Sequence, residues 1–445
     1  MFSQFDFSLK TKFLAVILNK MAKVIIEEVK EGLYQSLKRI SEEFELAKRL
    51  LNKDKVFIKV NAIDFRKECY TSPVVISAII DLLKELGSFD LYLIENSTQG
   101  NITRVVLRAT GIEQILKEKK VKPIYLDEEK PVEIELGKEK LKIKFPRILY
   151  EELIERREKS FYLSLPRLKT HSMTTVTLSI KNQMGLIYHR DRQLKHNYEL
   201  HQFLADLYEF IRPDFAIIDG LKAVYHGHYP LERRLEKYIA PLDILIAGDD
   251  PLAVDAVGAK ILGYSLDEVK HLKLCAQKNL GRAELDEIQI IGDITKFKTR
   301  YSAEIIGDFP KGVKIIEGKE RACIEGCKNN TLMVMEMLFV DYGGEGEFNL
   351  IYGKGFDQKE LEELNSGPIL LVGPCAIEEL YDKLKRLYPK RKIICINSHN
   401  DLAGVTKALM KLMNIKIFQI VPFRADLILA LLRAKLNRST ALTPL

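Results

Sequence analysis

Residues 55–96 read KVFIKVNAIDFRKECYTSPVVISAIIDLLKELGSFDLYLIEN. An apolar, β-branched run over 55–60 is followed by a stretch that Pro73 opens and Gly87 closes, and then by a second apolar run over 90–94. Proline suits the first turn of a helix, where its missing N–H would have no partner, and glycine suits the position just past the end. The order strand, helix, strand predicts a parallel sheet covered by helices.

The same alternation extends outward. Strands are expected at 23–29, 160–164, 214–218 and 242–246, and a helix at 251–262 between Pro251 and Gly263. Between 120 and 150 the pattern changes to VEIELGKEKLKIKF, whose period of two predicts an antiparallel hairpin turning at Gly137. Glu317-Gly318 marks a boundary, beyond which strands are expected at 348–352, 368–372, 391–395 and 415–420 with helices between them. The fold class is therefore α/β. A mostly parallel sheet domain with helices on both faces occupies 21–318, and a smaller doubly wound α/β domain occupies 319–445. Residues 1–20 carry an apolar stretch, Phe13 to Leu18, too short to span a bilayer. They read as an extension ahead of an alternative start at Met21. A signal peptide ranks second, because no small-residue cleavage site follows.

Composition narrows the function classes. A chain of 445 residues, 47% hydrophobic and 29% charged, suits two or three folded domains. Its 69 basic and 62 acidic residues differ by 7, but they are interleaved, and no zinc finger, basic zipper or aromatic RNA-recognition strand is present. Neither a nucleic-acid nor a membrane partner is expected. Six cysteines in a chain this long are not a disulfide framework, which suits a reducing cytoplasm. Abundant Lys and Glu with no Trp suit a hot environment.

The densest polar segment is PRLKTHSMTTVTLSIKNQMG, from Pro166 to Gly185. Pro166 is expected to eject the chain from a strand into a loop. A helix opened by Thr174 would then carry Lys181 and Asn182, with Lys169, Thr170 and His171 before its positive end. Tyr188-His-Arg-Asp-Arg and His196 add further titratable groups. Lys59 and Asn61 close one strand and Glu95 and Asn96 the next, so they are expected to face a common cleft. Asp219-Gly220 is expected to end the strand at 214–218, and Gly248-Asp249-Asp250 the strand at 242–246. Ligands bind at such strand ends in open α/β sheets. Asp255 lies among small residues of the helix that follows, where a buried carboxylate needs a partner. His226 and His228 lie two apart on a turn, a pair that suits either a metal or an ordinary surface loop.

In the C-terminal domain Cys323 and Cys327 precede a helix, Cys375 follows a strand and Cys395 ends another, with His399 as a substitute for Cys395. Thiolates gathered at one sheet edge suit a [4Fe-4S] iron–sulfur cluster or zinc, and free cysteine also serves as a small core residue.

Taken together these segments resemble the domain of unknown function 362 family, over roughly 55–282. The resemblance is carried by the Lys59-to-Asn61 strand end, Ser72-Pro73, the Glu95-to-Gly100 loop, Thr110-Gly-Ile, PRLKTHSMTTVTLSIKNQMGL, Pro213-Asp-Phe-Ala-Ile-Ile-Asp-Gly and AGDDPLAVDAVGAKILG. Many members of that prokaryotic family are joined to ferredoxin-type modules, so the resemblance implies a redox-linked role. This chain lacks the C-x2-C-x2-C-x3-C-P run, and its cluster is an inference from spacing alone.

Two functions remain open at this point. One is an enzyme or metallocentre-linked redox protein, with an electron-transfer partner, acting on a small carboxylate or phosphate. His171, Lys169 and Asp255 would be catalytic, and Lys59, Asn61, Glu95, Asn96, Thr170, Lys181, Asn182, Asp219 and Asp249 would bind the ligand. Cys323, Cys327, Cys375 and Cys395 would hold the cluster. The other is a non-catalytic binding or assembly module with structural cysteines or zinc.

Overall fold

The structure, a computed structural model, describes residues 21–420 other than His228, together with Ile428, Leu429, Leu432 and Leu436. The expected extension at 1–20 lies outside the described residues.

Ten strands form the larger sheet. In chain order they begin with β1 (Ala22–Glu28), β2 (Lys55–Val60), β3 (Asp90–Glu95) and β4 (Lys122–Tyr125). The hairpin β5 (Pro131–Leu136) and β6 (Leu141–Pro146) stands apart as its own two-stranded sheet, with Gly137 at φ 66° in its turn. The main sheet resumes with β7 (Ser160–Leu165), β8 (Arg167–His171), β9 (Thr175–Val176), β10 (Phe215–Val224), β11 (Ile239–Gly248) and β12 (Ile288–Ile291). Its order is β12-β1-β11-β10-β7-β2-β3-β4, with β8 and β9 off that path. From β10 to β4 all pairings are parallel, whereas β11 runs antiparallel to both of its neighbours.

The parallel strands are buried on both faces, which is why β2 reads as a nearly continuous apolar run. One face packs on helices Leu33–Glu43 and Pro73–Leu86. The other packs on Leu200–Phe210, Pro251–Ile261, Lys270–Gln277 and the β5–β6 hairpin.

The smaller sheet is β13 (Val313–Glu317), β14 (Phe348–Tyr352), β15 (Ile369–Val372) and β16 (Ile393–Ile396), all parallel and in chain order. Helices Asn329–Val340 and Leu402–Leu412 cover one face, and Gln358–Glu362 and Pro374–Leu387 the other. β13 precedes the division expected at 318, yet it pairs with β14 and so belongs to this sheet. The strand expected at 415–420 is instead a helical turn, Ile417–Ile420, where the Gln419 side chain accepts the Lys416 amide. A short apolar run has no period long enough to separate strand from helix.

Candidate functional site

β2, β3 and β7 end at one edge of the sheet, because they are parallel and in register, with Lys59 opposite both Ile94 and Ser164. At that edge Lys59 turns inward. Its ammonium donates to Oε1 of Glu95 at 2.7 Å, to the Val60 carbonyl at 2.7 Å and to Oδ1 of Asn182 at 3.2 Å. Glu95 also accepts the amides of Ala62 at 2.6 Å and Asn96 at 2.8 Å. Burial pushes the Lys59 amine down, and the charge of Glu95 opposes that shift. A β-carbon on Gly185 would stand 2.5 Å from the Glu95 carboxylate and 2.6 Å from Nζ of Lys59, so only glycine lets that turn lie over the pair.

Pro166 does not release the chain into a loop. The backbone resumes as β8, which pairs with β10, then turns through β9 and enters the helix Leu178–Asn182. Thr174 therefore sits in a hairpin turn and opens no helix. Alternation along β8 sorts its side chains. Lys169 and His171 face a cavity, while Thr170 faces away and donates to the carbonyls of Gly227 and Ser302. Thr175 and Leu178 hold φ of 67° and 44°, a region costly for branched side chains. Asp255 fixes this entry, its two oxygens each accepting one amide, from Ser179 and Ile180, at 2.7 Å.

The helix so anchored carries Lys181 and Asn182 into the same cavity. Arg192, from the helix His189–Lys195, completes the wall and donates to the carbonyls of Ser97, Asn96 and Ile187. Asn330, Asn400 and Leu402 of the smaller domain roof it. The enclosed space is about 70 Å³, room for a few waters or one small anion. A wider cleft of about 800 Å³ opens between the two domains, and His171 and Met173 belong to the walls of both.

The electrostatics are one-sided. Glu95 is matched by Lys59. Nζ of Lys169 is buried with no hydrogen-bond partner among the described residues, and the charged neighbours of Lys181 are Arg192, Lys169 and Lys59, all cations. Burial lowers the Lys169 amine to about 8 and the Lys181 amine to about 7, helped for Lys181 by those cations. Burial likewise lowers Arg192 to about 10 and the His196 imidazole to about 3.

Residues 56–260 match the sequence profile of the family described as Domain of unknown function (DUF362). The chain carries a DUF362 domain. It is also 24% identical over 245 residues to a thylakoid-associated protein of Synechocystis sp. (strain ATCC 27184 / PCC 6803 / Kazusa), covering 51% of this chain and 68% of that protein. No solved structure matches. All the cations of the cavity lie inside the DUF362 segment, whereas its roof comes from outside it.

Within the DUF362 domain, Lys59, Asn61, Glu95, Asn96, Lys169, His171, Lys181 and Asn182 gather as expected around one cavity, Lys59 lying just beneath its surface. Four expected ligand or catalytic residues do not line it. Thr170 points to the other side of β8. Asp219 does not end a strand, since β10 runs on to Val224, and its carboxylate is held by Arg167 at 3.3 Å and the Ser72 amide at 2.7 Å. Asp249 follows β11, whose antiparallel course delivers it to the opposite sheet edge, where it pairs with Arg49. Asp255 stands outside the cavity wall with each oxygen accepting one amide, and burial pushes its carboxyl up to about 8 against those two bonds.

The cysteines divide between the faces of the smaller sheet. Cys327 packs with Met335 and Leu338, accepts the Asn400 amide at 3.3 Å and lies 3.6 Å from Nδ1 of His399. Cys395 alternates to the opposite face, with Ile393 and Leu371. Of the four expected donors only Cys395 is thus set apart, since Cys323 and Cys375 both lie close enough to Cys327 for their charges to interact and His399 stands beside it. Among the described residues no group of three or more His, Cys, Asp or Glu side chains is placed to hold a metal ion. His226 donates instead to Glu336 at 3.0 Å. Among the described residues no helix is long and apolar enough to cross a membrane.

Sequence reading noticed Arg192 and His196 without assigning them to the site, and it missed Asn330 and Asn400. The available signal was two consecutive asparagines opening an apolar helix, whereas the φ of 50° at Asn400 is visible only in the structure.

Proposed function

We propose that this protein binds a small carboxylate or phosphate in the cavity between its two domains. One observation carries the reading: Lys169, Lys181 and Arg192 converge on one cavity, and among the described residues none of the three is ion-paired with a carboxylate. Cations are not held buried and unmatched without cost, and an anion drawn from solvent returns the lost stabilisation. Asn61, Asn182, Asn330 and Asn400 supply neutral hydrogen-bonding groups that suit oxygen atoms of such a ligand. The volume selects against a nucleotide and for an ion the size of phosphate or a short acid. The cysteines take no part in this reading.

Calorimetric titration with phosphate, oxalate and acetate tests it. The native protein is expected to bind at least one of them at a single site, and Lys169→Met to weaken that binding at least tenfold, the loss of one charge-assisted contact worth about 1.5–3 kcal/mol. Equal affinity in the variant would remove Lys169 from the site.

A further inference from the structure

We propose that Lys181 is a nucleophile, forming an imine with the carbonyl carbon of a small oxo acid whose carboxylate is held by Lys169 and Arg192. This rests on the anion-binding reading and names both its substrate class and its covalent centre. Three amines surround the cavity, and the structure gives each a different task. Lys59 is engaged by three acceptors, including Glu95, whose charge opposes the downward push of burial on its amine. Lys169 has no hydrogen-bond partner, but Asp64 and Glu95 are among the charges around it and favour its cationic form. Lys181 alone has only cations as charged neighbours, and no acceptor holds its amine among the described residues. An amine buried beside other cations gives up its proton most readily, and the free amine is the attacking form. Its lowered proton affinity, to about 7, agrees with that placement.

The space of about 70 Å³ suits acids of two to four carbons. With the carboxylate bound on the cations, the adjacent carbonyl is confined against Nζ of Lys181 in an enclosed site, which converts a bimolecular addition into an intramolecular one. The nitrogen lone pair forms the C–N bond as the carbonyl π electrons pass to oxygen. The two amine hydrogens leave with that oxygen as water, and a C=N bond remains. No oxidant, reductant or further co-reactant is consumed.

The test incubates the full-length protein separately with glyoxylate, pyruvate, 2-oxobutyrate and acetoacetate, adds sodium borohydride, and maps the reduced adduct by peptide mass spectrometry. The expected result is one adduct per chain, on Lys181, with at least one of the four acids, suppressed by excess phosphate. Lys181→Arg, which keeps the charge, is expected to abolish it, and Lys169→Met to slow it tenfold or more. The mapping on the native chain needs no variant to fold. An adduct on Lys169, or adducts scattered over surface lysines and unaffected by Lys181→Arg, would overturn the assignment. Calorimetric binding of these acids without any adduct would overturn the imine while leaving the anion site standing. Failure of all four acids and of phosphate to bind would overturn both.

Discussion

Lys181 is a residue whose usefulness and whose cost have one origin. Its amine is lowered to about 7 in the folded chain, against about 10.4 when exposed. Below pH 7 both states carry the proton, and the folded state bears the full penalty of a buried charge. Between about 7 and 10 the unfolded chain holds a proton that the native chain has released, so stability rises with pH across that window. Lys181→Met is therefore expected to be more stable than the native chain near pH 6.5, by on the order of 3 kcal/mol, with the gap closing toward pH 10. Urea unfolding at several pH values measures this, and a pH-independent gap would contradict it. The same variant is expected to lose phosphate binding, the trade between stability and activity that strained sites display. At this scale the sequence was informative about cations and poor about acids. Lys169, His171 and Lys181 lie in one short segment, so their convergence needed only a local turn. Asp219, Asp249 and Asp255 were judged by nearness to strand ends, and the direction of β11 and the length of β10 decide where those ends are.

At the scale of elements, the turn from β8 into Leu178–Asn182 is held from a distance. Asp255 lies 76 residues along the chain from Ser179, and its carboxylate satisfies two amides at the start of the helix that carries Lys181 and Asn182. An asparagine there keeps one acceptor and presents an N–H to the other amide. Asp255→Asn is expected to cost about 2 kcal/mol, the price of one unsatisfied buried donor, and also to weaken phosphate binding although the side chain touches no ligand. Thermal melts and calorimetry on the same preparation check both; unchanged affinity would detach Asp255 from the site. Sequence periodicity found β2, β3, β14 and the helix Pro73–Leu86 nearly to the residue, since each repeats its pattern over several positions. It failed at the Thr174 turn and at Ile417–Ile420, where long-range capping or a four-residue run leaves no local pattern.

The whole molecule closes its site with two domains. His399 donates to the carbonyl of His196 at 2.8 Å, Asn329 to that of Ser172 at 2.8 Å, and His226 to Glu336 at 3.0 Å, while Arg66 pairs with Asp341. Glu336 is fully buried and also accepts the Asp308 amide at 3.0 Å. Glu336→Ala is expected to cost about 2–4 kcal/mol and to loosen the roof, so that phosphate affinity falls without loss of any cation. A variant that melts earlier yet binds phosphate as the native chain does would show that the roof is dispensable. Composition and alternation made both α/β units legible, but no single-residue signal announces which face of one domain meets the other, because such contacts are isolated pairs with no period.

His171 and Met173 belong at once to the small cavity and to the cleft outside it. Any solute travelling between the two passes those side chains, and methionine, unbranched and with three rotatable bonds, swings aside with little resistance. For the acid proposed as ligand, a compact one would need only that rotation to pass, with both sheets in place, whereas a longer one would need the halves to part.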